Sequence, residues 1–183
     1  MKILQIHDNR LEVLLSPIAP ALDGCWWWIG GAGASPPAEV FATSDPQAYR
    51  RWGEEYAKFV EYHDIIGDVG RPGYFGRYAG ALRRDWDVYC ASDAAEPPLD
   101  SFRIVQEQRP DWFDAFHDVP TEIALIARVI DSGYWDLFFR DDWMFETVEQ
   151  RLRSGSLTSA NWTAFADERE FARHMNQQLK RSP

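Results

Sequence analysis

Cysteine, histidine and basic residues are scarce in this chain of 183 residues, which has 2 Cys, 4 His and 19 Lys or Arg against 29 Asp or Glu. Cys25 and Cys90 are too few for a disulfide framework and form no Cys-x-x-Cys metal-binding pair. No apolar run approaches the ~18 residues of a membrane span. The first residues, MKILQIHDNR, break their apolar run too early for a secretory signal. We therefore expect a cytoplasmic protein with reduced thiols and no membrane partner.

The formal net charge is −10, and it is concentrated in one part of the sequence. Residues 101–150 hold 4 basic and 11 acidic residues, so 4 − 11 = −7 of the net charge lies there. A surface of this sign repels nucleic-acid phosphates and anionic lipids, which argues against nucleic-acid partners. The charge favours a basic partner, although acidic residues also serve simply to keep an aromatic-rich chain in solution.

Aromatic residues are abundant, with 9 Trp, 11 Phe and 7 Tyr. The stretch GCWWWIGGAGASPP at 24–37 places three Trp residues ahead of a Gly-rich segment. In a strand, Trp26 and Trp28 would point to one face and Trp27 to the other. A phosphate-binding loop would need to open directly into a helix, but Pro36 and Pro37 intervene and the next segment favours a strand. We therefore predict a buried strand followed by a turn, and no cofactor.

The pattern of apolar residues predicts an α+β fold: N-terminal strands, then helices, a β-hairpin and two C-terminal helices. The predicted strands, with KILQIH and LEVLLS forming a hairpin, are residues 2–7, 11–16, 25–30, 39–43 and 101–107. The predicted helices are residues 45–66, 76–90, 142–153 and 168–180. The second hairpin is IALIARVIDSGYWDLFFR at 123–140, although a short helix opening at Pro120 competes for its first half.

The chain is long enough for one domain, and we expect residues 1–183 to form a single α+β domain. The segment ASDAAEPPLD at 91–100 combines small residues, acids and a Pro pair, which is typical of a linker. An alternative organisation therefore divides the chain near 91–100, into 1–90 and 101–183.

The dipeptide His-Asp occurs three times, and YHDIIG at 62–67 resembles the His-Asp-Ile-Gly stretch of HD-domain metal phosphohydrolases. That resemblance implies a helical bundle in which a His, a His-Asp pair and a later Asp hold a divalent metal that activates water. A metal-dependent hydrolase using His63 and Asp64 is therefore one alternative function. His63 also continues the apolar face of its predicted helix, as a packed, hydrogen-bonded His does, and we predict no metal site and no catalytic residue.

The segment RPDWFDAFHD at 109–118 interleaves carboxylates with large rings, and YWDLFFRDDW at 134–143 repeats the mixture. Buried aromatic anchors with an acidic rim are typical of a protein interface. The alternative is an amphipathic helix whose rings face its own core. The candidate partner-binding residues are Asp111, Trp112, Asp114, Phe116, Asp118, Asp141 and Asp142.

These patterns lead to a functional hypothesis, which is a small acidic protein that binds and inhibits a basic protein partner. Its concrete form is an immunity (antitoxin-like) protein that neutralises a basic toxin, because clustered carboxylates steer a cationic partner toward them. The alternatives are the metal-dependent hydrolase and a structural or adaptor subunit of an obligate complex.

Overall fold

The computed structural model describes residues 1–7, 11–30, 36, 40, 42–64, 67–73, 75, 88–108, 114–130, 134–155 and 161–180. The strands among them are β1 (Lys2–Ile6), β2 (Trp26–Gly30), β3 (Val60–Asp64), β4 (Gly67–Gly70), β5 (Val88–Ser92), β6 (Ile123–Ile130), β7 (Tyr134–Phe139) and β8 (Trp162–Phe165). The α-helices are α1 (Leu11–Leu14), α2 (Ala19–Asp23), α3 (Pro46–Phe59), α4 (Leu99–Gln108), α5 (Asp142–Arg153) and α6 (Glu168–Leu179), and a 3₁₀ turn covers Ser16–Ile18.

The strands form one antiparallel sheet in the order β3-β4-β2-β5-β6-β7-β1-β8. Apolar side chains alternate between its two faces, and each face carries its own buried cluster. Helices lie on this single sheet, so the α+β fold class is confirmed. Residues 93–98 connect β5 to α4, and strands that precede and follow them in the sequence belong to the same sheet. The number of domains stays a prediction.

The three consecutive tryptophans occupy β2, which lies between β4 and β5. Trp27 belongs to one core cluster and stacks on Phe75 with ring centroids 5.0 Å apart, whereas Trp28 belongs to the cluster on the opposite face. The predicted alternation is therefore confirmed, and both faces of this strand are covered. The Gly-rich residues 31–35 that follow lie outside the described part of the chain.

Several elements that the sequence predicts are confirmed. β1 forms as predicted, β6 and β7 pair as the predicted hairpin, and α5 and α6 occupy the two predicted C-terminal helices. Asp167 caps α6 by accepting a hydrogen bond from the Glu170 amide at 2.8 Å, and Glu170 Oε2 accepts one from the Ala166 amide at 2.8 Å. This reciprocal pair is similar to a capping box, except that Glu170 bonds the amide of the residue before the N-cap.

The predicted strand at 11–16 is wrong, and with it the first hairpin. Residues 11–14 form α1, and the 3₁₀ turn and α2 follow. Leu11, Leu14, Leu15 and Ile18 are all buried. Their spacing of three and four residues matches one face of a helix, so the helical period outweighs the β-propensity of this short apolar run. In the predicted strand at 39–43, Val40 and Ala42 are likewise helical.

The predicted strand at 101–107 is also wrong, because these residues belong to α4. Phe102 and Val105 are buried three residues apart, as one face of a helix requires.

The predicted helix at 45–66 ends at Phe59 and gives way to β3, and the end of the predicted helix at 76–90 is strand β5. β8 was not predicted; it pairs with β1 at an edge of the sheet. No helix in the described ranges is long and apolar enough to cross a membrane.

Candidate functional site

An open recess of about 470 Å³ lies between α4 and the segment that follows it. Its lining residues, which define the acidic recess, are Ile104, Gln108, Asp114, Ala115, His117 and Asp118. Asp114 and Asp118 are exposed, and Ile104 is an exposed large apolar side chain at 45%. Neither carboxylate forms an ion pair with a residue that the structure describes. The recess thus combines two accessible negative charges with an apolar side chain.

Two hydrogen bonds between the Gln108 side chain and the His117 backbone hold the segment 114–118 against the end of α4. Gln108 Nε2 donates to the His117 carbonyl at 2.5 Å, and the His117 amide donates to Gln108 Oε1 at 2.9 Å. Asp118 has φ of +47°, in the left-handed region that Asp tolerates better than most residues. Residues 114–118 are irregular rather than helical, so a helix through this part of 109–118 is not formed.

A buried ion pair beneath the recess fixes the backbone of Asp114. Arg128 on β6 and Asp136 on β7 face each other across the sheet, and their side chains are 1% and 0% exposed. Arg128 Nε and Nη2 donate to Asp136 Oδ2 at 3.1 and 2.7 Å, and Nη1 donates to the Asp114 carbonyl at 2.9 Å. Gln5 Nε2 donates to the other carboxylate oxygen of Asp136 at 2.9 Å. The position of the recess is therefore tied to the centre of the sheet.

Three rings surround the Arg128 guanidinium, with centroids 5.4 to 5.7 Å from its carbon: Phe116, Phe138 and Phe171. Phe116 is 1% exposed and packs edge-on against Phe138. The sequence placed Phe116 at a partner interface, but the structure places it in the core, because its ring faces the Arg128 guanidinium. Burial raises the pKa of Asp136, while Arg128 and Gln5 act in the opposite direction.

Asp141 and Asp142 lie apart from the acidic recess and are paired with cations. Asp141 Oδ2 lies 2.6 Å from Arg140 Nη2, and Asp142 Oδ1 lies 3.2 Å from Lys2 Nζ. Arg140 also binds Asp93, whose pKa it lowers. The Arg140 amide donates to the Ala124 carbonyl. Ala124 and Arg128 are four residues, or about 14 Å, apart along β6. The structure therefore does not bring these two carboxylates to Asp114 and Asp118.

The remaining two predicted site residues, Asp111 and Trp112, lie outside the described part of the chain. The exposure of Asp114 and Asp118 follows from their charge. The burial of Phe116 had no local signal, because an irregular segment has no periodicity and its burial depends on Arg128 and the rings of other elements.

His63 lies on β3 rather than on a helix, and its partner is Asp68. Its Nδ1 lies 3.1 Å from Asp68 Oδ1, and the Tyr56 hydroxyl donates to Asp68 Oδ2 at 2.8 Å. Among the residues described, no three His, Cys, Asp or Glu side chains converge as metal ligands. The described fold is built on a sheet, whereas the resemblance to HD-domain enzymes implies a helical bundle, so the fold lends the hydrolase alternative no support.

Both thiols are buried and poorly suited to nucleophilic chemistry. Cys25 is 2% exposed and Cys90 is 0% exposed. Burial, with a smaller contribution from Asp93, raises the pKa of Cys25 to about 11, and burial raises the pKa of Cys90 as well. Since the thiolate is the reactive form, neither residue is an activated nucleophile.

A second, smaller recess lies on the other flank of α4, and sequence reasoning missed it. Its volume is about 90 Å³, and the residues that line this apolar recess are Trp28, Tyr62, His63, Gly67, Val69, Leu99, Phe102 and Arg103. They come from β2, β3, β4 and α4, so no local pattern could reveal it. Tyr62 and Leu99 are exposed large apolar side chains, at 42% and 37%.

Comparisons of this chain with protein-family models, with curated proteins and with solved structures found no significant match.

Proposed function

We propose that this chain is a small cytoplasmic binding protein that captures a basic protein partner at the acidic recess. The observation that carries the proposal is the pair of exposed carboxylates, Asp114 and Asp118, on one open recess beside the exposed side chain of Ile104. A net charge of −10 adds a long-range attraction for cationic partners.

The recess suits a Lys or Arg side chain of the partner. The cation would contact Asp114 and Asp118, while its aliphatic stem would pack on Ile104. Exposed pairs of this kind contribute about 0.2–1 kcal/mol each, and they act mainly on the rate of association and on the choice of partner. Because Arg128 fixes the Asp114 backbone, the recess is organised before the partner arrives, which lowers the entropic cost of binding.

The specific form of the proposal is an immunity protein that neutralises a cationic toxin, for example a nuclease with a phosphate-binding cleft. Carboxylates held in such a cleft would occupy the positions of substrate phosphates and so inhibit the toxin. The acidic surface between 93 and 122 supports this form, since the described residues there include seven carboxylates (Asp93, Glu96, Asp100, Glu107, Asp114, Asp118 and Glu122) and one basic side chain, Arg103.

The proposal is tested by titrating the ¹⁵N-labelled protein with a capped triarginine peptide and mapping the backbone amides that shift. The expected shifts cluster at 104–108 and 114–118. The double variant Asp114→Asn/Asp118→Asn should weaken binding by roughly 1 kcal/mol, or about fivefold. The matched control, Asp23→Asn/Glu54→Gln, removes the same charge from exposed positions on α2 and α3. Equal weakening in both variants would show that only net charge matters and would contradict the proposed site.

A further inference from the structure

Trp28, one of the residues that line the apolar recess, has a buried indole N–H. Its side chain is 3% exposed, and none of the described residues accepts a hydrogen bond from its Nε1. Gly67, which also lines the recess, lies beside this nitrogen, and a Cβ added at Gly67 would lie 2.8 Å from it. The same Cβ would clash with the Ile29 carbonyl oxygen, so the glycine is what allows β4 to lie this close to β2. The accessible part of the recess is formed by the exposed side chains of Tyr62 and Leu99, which offer apolar surface to an incoming side chain.

Helix α4 separates the apolar recess from the acidic recess. Leu99, Phe102 and Arg103 line the first, whereas Ile104 and Gln108 line the second. At about 100° per residue, these two sets lie on roughly opposite flanks of the helix. Their centres are separated by about 7 Å along the axis and by about 10 Å across the helix, which gives a span of about 12 Å. An extended peptide covers that distance in about four residues.

The ridge between the two recesses is also acidic. Asp100, Arg103 and Glu107 occupy the outward side of α4 and are exposed. Arg103 Nη1 lies 3.8 Å from Asp100 Oδ1, so its charge is offset by that neighbour. A segment that crosses α4 from one recess to the other therefore passes over a surface that complements basic residues.

We propose that the apolar recess is a second contact for the same basic partner. An extended segment of that partner crosses α4, inserts one apolar side chain beside Trp28, Tyr62 and Leu99, and places a Lys or Arg about four positions away in the acidic recess. This inference rests on the proposed function, because the cation is the part that the acidic recess selects. The apolar contact adds a shape requirement that charge alone does not give.

The test uses capped glycine-based peptides that carry one Arg and one Leu about four positions apart, in either order, and matched peptides in which Gly replaces Leu. Binding is followed by the ¹⁵N spectra of the protein. The variant Trp28→Phe identifies the indole N–H signal of Trp28. Of the two Leu peptides, we expect the one whose order of Arg and Leu fits the two recesses to bind about fivefold more tightly than its Gly counterpart. The reason is that partial burial of a Leu side chain contributes about 1 kcal/mol. The Trp28 indole signal should shift with the Leu peptide alone.

Leu99→Gln should abolish the Leu advantage, whereas the control Trp143→Gln, at an exposed apolar position on α5, should keep it. A Leu advantage that persists in Leu99→Gln, with an unmoved Trp28 signal, would overturn the second contact. The Gly peptides test the proposed function separately. If they lose affinity in Asp114→Asn/Asp118→Asn, the acidic recess stands even when the apolar contact fails. If their affinity is unchanged, the proposed function fails, and the inference fails with it.

Discussion

The guanidinium of Arg128 connects the core of the sheet to the acidic recess. It binds the Asp136 carboxylate on one side and the Asp114 carbonyl on the other. Truncating one partner of a buried ion pair is costly because the other charge is left without compensation, whereas replacing both partners with apolar side chains is often tolerated. Variants of Arg128 and Asp136 can therefore separate the stability of the fold from the geometry of the recess.

We predict that Arg128→Met lowers the free energy of unfolding by about 3–5 kcal/mol, because it leaves Asp136 buried and unpaired. The double variant Arg128→Met/Asp136→Leu should recover most of this loss. Urea denaturation monitored by circular dichroism measures both changes. A single variant that is as stable as the double variant would contradict the inferred coupling.

The same substitution has a predicted pH dependence. Burial raises the pKa of Asp136 above 3.8, and Arg128→Met removes the opposing cation. A carboxyl whose folded-state pKa is raised binds more protons when folded than when unfolded. Stability therefore rises as pH falls through the folded-state pKa toward 3.8 and is lost as pH rises. Compared with the double variant, Arg128→Met should therefore gain stability as the pH is lowered toward 3.8, and a difference that stays constant with pH would contradict this.

At the scale of elements, long periodic segments were predictable and short apolar runs were not. The β6–β7 hairpin, α5 and α6 carry clear periods, turn residues or caps, and all three are confirmed. The apolar run at 11–16 and the alternating pattern at 101–107 predict strands, but segments of six or seven residues are short enough to fit both periods. Both segments also carry apolar residues three or four positions apart, so the local pattern allows a helix as well, and packing against other elements selects it. The apolar recess could not be predicted for the same reason, since it needs three strands and α4 together.

We predict that Asp167→Ala lowers the free energy of unfolding by about 1 kcal/mol, because Asp167 accepts a hydrogen bond from the Glu170 amide at the start of α6. Asp167→Asn keeps an acceptor at this position and serves as the control. Thermal and urea unfolding measure the difference between the two variants. If Asn proves as destabilising as Ala, the cap is not the cause.

At the scale of the whole molecule, one sheet joins the N-terminal and C-terminal parts of the chain. β5 pairs with β6, which follows it after residues 93–122, and β1 lies between β7 and β8 toward the other edge of the sheet. β1 comes from the beginning of the sequence and β8 from its last quarter, so a break at 91–100 would separate strands that pair with each other. The number of strands and their order were beyond sequence reasoning, because pairing between distant segments leaves no local pattern.

We predict that the chain unfolds in one cooperative transition. Far-ultraviolet circular dichroism and tryptophan fluorescence should give coincident urea midpoints, because the sheet links both proposed halves. Two resolved transitions, with one half retaining structure, would instead favour the division into 1–90 and 101–183.

At a net charge of −10, the whole molecule attracts any cation. The most direct test of the proposed function therefore compares two variants that have the same net charge but lose carboxylates at different positions. The measurement is the affinity of the capped triarginine peptide for Asp114→Asn/Asp118→Asn and for Asp23→Asn/Glu54→Gln, which have equal net charge. We predict that the first variant binds about fivefold more weakly than the second at low salt, with the difference shrinking as salt screens the exposed charges. Equal affinities for the two variants would contradict the assignment of the acidic recess as the binding site.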